Sequence, residues 1–143
     1  MKLYKLSPII LALTLPACTS LNITPINKFS DFSHICIEDN PRVKAHNFVF
    51  TITDLFHDHQ ITSEVYKGDI PLHCEYTLKY TALQSWDYTL YLSHAELRLY
   101  KGKHKIGDAT YHLNMRGFAN VNKWTSTESK MTPVISELLQ NYR

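Results

Sequence analysis

The sequence predicts an α+β fold, a two-layer sandwich in which a mainly antiparallel sheet of about four to five strands carries two helices on one face. Three patterns predict it. Cys74, Tyr76, Leu78, Tyr80 and Ala82 alternate with Glu75, Thr77, Lys79 and Thr81, the period of a strand covered on one side. Ala45, Phe48, Val49, Ile52, Leu55 and Phe56 recur at three-and-four spacing and share one helical face. Met131, Val134, Ile135, Leu138, Leu139 and Tyr142 form a second such stripe. Two amphipathic helices need cover, and a one-sided sheet supplies it.

The chain starts with Lys2 and Lys5, then an apolar run from Ile9 to Leu15 that is too short to cross a bilayer. Leu15-Pro16-Ala17-Cys18 follows and resembles the bacterial lipobox, whose cysteine takes a diacylglyceryl group and becomes the new N-terminus. Residues 1–17 are therefore expected to be a lipoprotein signal peptide. Several acyl chains on Cys18 would hold where one would not, since each buried methylene contributes about 0.8 kcal/mol. Residues 18–32, polar and broken by Asn22, Pro25, Asn27 and Ser30, read as the lipidated cysteine and a short tether. Residues 33–143 read as a single periplasm-facing domain. Thr19 after the cysteine, by resemblance to Gram-negative lipoproteins, implies the outer membrane.

His34–Glu38 reads as a strand stopped by Asp39-Asn40-Pro41, with Asn40 capping a helix from Pro41 to Asp58. Ile61–Tyr66 is a weaker strand and Lys67–Pro71 a loop. Gln84-Ser85 is expected to bend the chain. Trp86, Tyr88, Leu90 and Leu92 then alternate on one parity, and Ala95, Leu97 and Leu99 on the other. One face can stay buried through such a change only if a residue is inserted, which predicts a β-bulge near Ser93-His94, with Trp86 in the core. Lys101-Gly102-Lys103-His104 is the next turn, and Ala109, Tyr111, Leu113 and Met115 mark the return strand. Arg116–Lys123 reads as a loop. The last helix starts either at a Thr125-x-x-Glu128 capping box, with a kink at Pro133, or at Thr132-Pro133.

The chain carries 15 Lys and Arg against 13 Asp and Glu. Once Lys2 and Lys5 leave with the signal, the charges balance, which argues against nucleic acid as a partner. Cys36 and Cys74 remain as an even pair in an oxidising compartment, predicting a disulfide, with two buried free thiols as the alternative. No Cys-x-x-Cys, Gly-x-Ser-x-Gly or His-Glu-x-x-His pattern occurs. His57 and His59 are two apart at a helix end and suit the helix C-terminus better than a metal. His94 and Glu96 could pair on one strand face. Neither metal nor cofactor is expected. Thr77, Thr81, Thr89, Tyr91, Thr110 and His112 are expected on the open face of the sheet. Among them Thr77, Tyr91 and His112 are the candidate docking residues for a protein partner.

Ile35-Cys36-Ile37-Glu38-Asp39-Asn40-Pro41, the stretch from Cys74 to Ala82, Trp86-Asp87, Ala95-Glu96-Leu97, Ile106–Tyr111 and Asn122-Lys123-Trp124 are together similar to a family of short, functionally uncharacterised gammaproteobacterial lipoproteins. The resemblance implies a lipid-anchored, periplasm-facing protein with paired cysteines and implies no activity. The sequence thus points to a non-enzymatic binding or accessory module of the cell envelope. The alternative is a small-ligand carrier or enzyme with a pocket between sheet and helices.

Overall fold

The computed structural model describes residues 19–27, 32–45, 47–114 and 121–142. Cys18 and the expected signal segment lie outside them, as does 115–120, which holds Met115 and most of the loop expected after it. The elements in order are β1 (Thr19–Thr24), β2 (His34–Glu38), α1 (Phe48–Asp58), β3 (Thr62–Tyr66), β4 (Tyr76–Asp87), β5 (Thr89–Lys101), β6 (His104–Leu113), a 3-10 turn (Val121–Trp124) and α2 (Thr127–Leu138). The fold is α+β, and both helices bury their apolar stripes against one face of the sheet. That face is lined by Ile35, Ile37, Leu78, Leu97, Leu99 and Tyr111, opposite Phe48, Ile52 and Phe56 of α1 and Met131, Val134 and Leu138 of α2.

The sheet has six strands in the order β1-β6-β5-β4-β2-β3, and it is mixed where a mainly antiparallel sheet of four or five strands was expected. β2 runs parallel to both of its neighbours, β3 and β4. Parallel neighbours need a crossover. α1 provides it between β2 and β3. Between β3 and β4 the chain crosses back over β2 through the loop 67–75, and Cys74 of that loop is bonded to Cys36 in the middle of β2. Cys36, Tyr66 and Cys74 form a small second cluster on the face away from the helices. The disulfide thus ties the crossover down.

The expected tether is corrected by β1, which pairs with β6 from Thr19↔Leu113 to Thr24↔Asp108. Ile26 and Phe32 beyond it are buried in the main core. The Ile26 N–H donates to the Leu138 carbonyl, and the Tyr142 hydroxyl donates to that of Phe32. An edge strand with one face in water needs few apolar residues, which is why Thr-Ser-Leu-Asn-Ile-Thr reads as irregular. Its close seat depends on Gly107 of β6. A Cβ there would lie 2.9 Å from Ile26 Cγ2, 3.1 Å from the Thr24 carbonyl oxygen and 3.2 Å from Leu138 Cδ1. Gly107→Ala is therefore expected to cost about 1–3 kcal/mol through overpacking. A melting temperature equal to that of the parent would show that β1 is not held there.

The bulge falls where the parity change put it. Leu83 pairs with His94 and Gln84 with Leu92, leaving Ser93 as the extra residue. Gly102 turns the next hairpin with φ +56°. Other expectations fail at the element ends. The chain does not bend at Gln84-Ser85, because β4 runs on to Asp87 and the reversal is made at Tyr88, with φ 60°. α1 begins at Phe48 and not at Pro41. Asn40 is engaged elsewhere, its side-chain amide donating to the Tyr80 carbonyl. α2 begins at Thr127, one residue later than the Thr125 cap implies: Ser126 accepts from the Ser129 N–H, and Pro133 is contained within the helix.

Candidate functional site

The β4–β5 hairpin runs past the rest of the sheet. Leu113, the last residue of β6, lies beyond the His94↔His112 pair by a single position, whereas β4 and β5 continue as a two-stranded arm through Gln84↔Leu92, Ser85↔Tyr91, Trp86↔Leu90 and Asp87↔Thr89. At about 3.3 Å per residue the arm extends roughly 13 Å past that row. Its tip is apolar and exposed. Trp86 is 73% exposed, Tyr88 89% and Leu90 61%, and Trp124 from the 3-10 turn stands beside them at 52%. Trp86 was expected in the core. The alternation that suggested burial is real, but at the arm it faces solvent.

The tip is held in place by polar contacts. Lys123 Nζ lies 2.8 Å from the Asp87 carboxylate, which pushes the Lys123 pKa up. The Trp124 indole N–H donates to the Asp87 carbonyl at 3.4 Å. Behind them Lys130 is buried. Its Nζ donates to the carbonyls of Lys123 at 2.8 Å and Leu92 at 3.2 Å and lies 5.5 Å from the centre of the Tyr91 ring. Burial pushes its pKa down. Trp86-Asp87 and Asn122-Lys123-Trp124, far apart in sequence, therefore meet at one place. A groove of about 380 Å³ runs under the tip, between Phe48, Tyr91, Lys123 and Trp124.

Of the residues expected to form a docking face, two are corrected. Tyr91 is buried in the main core, because the inserted Ser93 changes which neighbours of the arm are covered. Thr77 is buried beside its pairing partner Cys36 under the crossover loop. His112 is exposed and its ring lies 5.6 Å from that of His94. His94 and Glu96 do pair, at 3.2 Å, and Glu96 also meets Arg98 Nη1. The His94 hydrogen bond is the largest cause of the lowered Glu96 pKa, with Arg98 adding to it.

The expected alternative, a pocket between sheet and helices, has a narrow counterpart. An opening of about 190 Å³ lies between β1, β6 and α2, lined by Leu21, Tyr111, Lys130 and Pro133. Ordinary ligand sites measure about 300–1,000 Å³. The Tyr111 hydroxyl there is buried without a hydrogen-bond partner among the described residues, and burial pushes its pKa up to about 12. Sequence reasoning missed the aromatic tip because apolar residues on a strand are read as core. The exposure of both strand faces depends on the length of the neighbouring strands, which no local pattern records.

No protein-family model matches the chain, and no curated protein matches it. Solved structures do. A dodecamer of a PelC point variant from Paraburkholderia phytofirmans aligns with a TM-score of 0.56 at 10% identity, covering 86% of this chain and 96% of that one. A PelC dodecamer from the same organism in another crystal form gives 0.50 at 9% identity over the same shares. At such identities the likeness is one of fold.

Proposed function

We propose that this chain is a lipid-anchored outer-membrane lipoprotein with its domain in the periplasm, serving as a non-enzymatic binding module that rests on the bilayer through its aromatic tip. The observation that carries the reading is one of placement. β1 begins at Thr19, the residue after Cys18, so an acylated Cys18 would leave no spacer between lipid and fold. Thr19 pairs with Leu113, at the end of the sheet from which the β4–β5 arm projects. Three strand spacings of about 4.8 Å separate β1 from β4, so anchor and tip reach the same bilayer interface with a sheet tilt of roughly 35°. Trp and Tyr favour that interface, where one part of the ring is apolar and the other wet.

Both tryptophans of the chain, Trp86 and Trp124, stand at this tip, so intrinsic fluorescence reports on it alone. Full-length protein in phosphatidylethanolamine–phosphatidylglycerol vesicles containing brominated lipid is expected to show quenched, blue-shifted emission, and Trp86→Ala/Tyr88→Ala/Leu90→Ala to lose most of the shift. Labelled palmitate fed to cells is expected on the wild type and not on Cys18→Ser. Label without quenching would retain the anchor and reject the tip; no label would reject the anchor itself. The first partner to test is a second copy, since the PelC chains of like fold are dodecamers. Light scattering of the detergent-solubilised chain is expected to exceed the monomer mass. A strict monomer would leave another envelope protein as the partner.

A further inference from the structure

We propose that His34, Glu64 and His73 form a binding site for one Zn²⁺ ion, at the end of the sheet opposite the aromatic tip. His34 opens β2, Glu64 stands in β3 and His73 lies in the crossover loop. Their ligand atoms, together with Cys36 Sγ, all lie within 4.8 Å of one another. Glu64 Oε1 is 2.5 Å from His73 Nε2 and 4.0 Å from His34 Nε2. A tetrahedral zinc with bonds of about 2.0–2.2 Å sets its ligand atoms roughly 3.3 Å apart, so the two Glu64 separations need to change by about 1 Å or less and the His34–His73 one by about 1.5 Å at most.

Two features show that these groups are prepared for a cation. First, the orientation of His34 is fixed. The Thr62 hydroxyl donates its one proton to the Ser33 carbonyl at 2.9 Å and must therefore accept from His34 Nδ1–H, 2.8 Å away. In the neutral ring the lone pair then sits on His34 Nε2, on the side facing Glu64. A histidine whose second nitrogen is held by an oxygen is the usual state of a metal ligand. Second, Glu64 Oε1 lies 3.3 Å from both sulfurs of the Cys36–Cys74 disulfide, which has no proton to offer it. Among the described residues, one side of this carboxylate oxygen therefore meets sulfur, and its polar neighbours are the two imidazoles.

Bonded sulfur leaves His₂Glu as the donor set, three protein ligands with a fourth position for water. The opening beside it, about 260 Å³ and lined by Phe32, Ser33, His34, His73, Glu75 and Tyr76, gives water that access. From Thr77 to Asp87 along β4 is about 33 Å, so with the tip on the bilayer the ion would face the periplasm.

The test is calorimetry of the full-length chain in detergent with ZnCl₂, checked by the visible spectrum of bound Co²⁺. One ion per chain with micromolar or tighter affinity is expected. Glu64→Gln and His73→Asn should abolish it. Thr62→Val should weaken it by about 10–100-fold, the usual effect of losing the group that orients a ligand. His94→Ala/His112→Ala, which removes the other close histidine pair, should bind as the parent does. Circular dichroism and melting curves identify any variant that has lost its fold; His73, on the exposed loop, is the variant that remains decisive if Glu64→Gln unfolds. No binding at micromolar free zinc, or binding by His73→Asn equal to the parent, would overturn the proposal.

Discussion

Replacing both Cys36 and Cys74 by serine is expected to lower the unfolding free energy by about 4 kcal/mol, as read from urea titration of the oxidised parent and the variant. The two cysteines are 38 residues apart, and closing a loop of that length removes about that much chain entropy from the unfolded state. The closed loop contains β2 beyond Cys36, all of α1, β3 and the crossover, so the constraint acts on the whole parallel part of the sheet. The other ties on the crossover are polar and sit toward its ends: Lys67 meets Asp39, His73 meets Glu64, and Glu75 accepts from the Gly102 N–H and pairs with Lys101. Between them Leu72 is fully exposed and Ile70 half exposed, so the loop contributes little apolar burial of its own. Hydrogen exchange should therefore rise in two places first, the buried Thr77 amide region and the loop. The arm, at the other end of β4, should keep its exchange rates and its lipid quenching. A loss below about 1 kcal/mol would mean that the crossover is held by packing, with the sulfur bridge incidental.

The hairpin partners and the core could be read from the sequence wherever burial on one face imposes a period. The inserted Ser93 was legible because Leu92 and Ala95 cannot share a face without it, and the Cys36–Cys74 bond because the lipobox reading sets Cys18 aside and leaves an even pair. The parallel placement of β2 was not legible. His34–Glu38 is a short apolar run that would suit either direction, and its neighbours are decided by where α1 and the crossover return the chain. β1 was lost because an edge strand is half polar. The reversal at Tyr88 was lost because a bulky residue at positive φ is rare and no glycine marks it. His34, Glu64 and His73 come from a strand start, a weak strand and a loop, so it takes the parallel register His34↔Thr62 and Cys36↔Glu64 together with the crossover bonded at Cys74 to bring them together.

Lys130 gives the second large effect, and its sign depends on the substituent. Its four-carbon stem is buried on α2, and its ammonium joins the Lys123 and Leu92 carbonyls beneath the arm. Lys130→Ala should cost about 3 kcal/mol, since each buried methylene contributes about 0.8 kcal/mol and two carbonyls lose their donor. Lys130→Met keeps the stem and removes a charge whose burial is unfavourable, so it should fall within about 1 kcal/mol of the parent at neutral pH. The pH dependence separates these contributions. Burial lowers the folded-state pKa of Lys130 below 10.5, so above that folded pKa the unfolded chain binds more protons at this residue than the folded one. The parent therefore gains stability relative to Lys130→Met as pH rises from the folded pKa to 10.5, and no more beyond it. Tyr66, Tyr80 and Tyr111 have raised pKa values and lose stability as pH rises through them, but both proteins carry them and the loss cancels in the difference. Urea titrations from pH 7 to 10.5 should show that difference growing in favour of the parent. A flat difference would mean that the ammonium is solvated. In that case the Lys123 carbonyl is not held from below, and Trp124 is positioned by Asp87 alone.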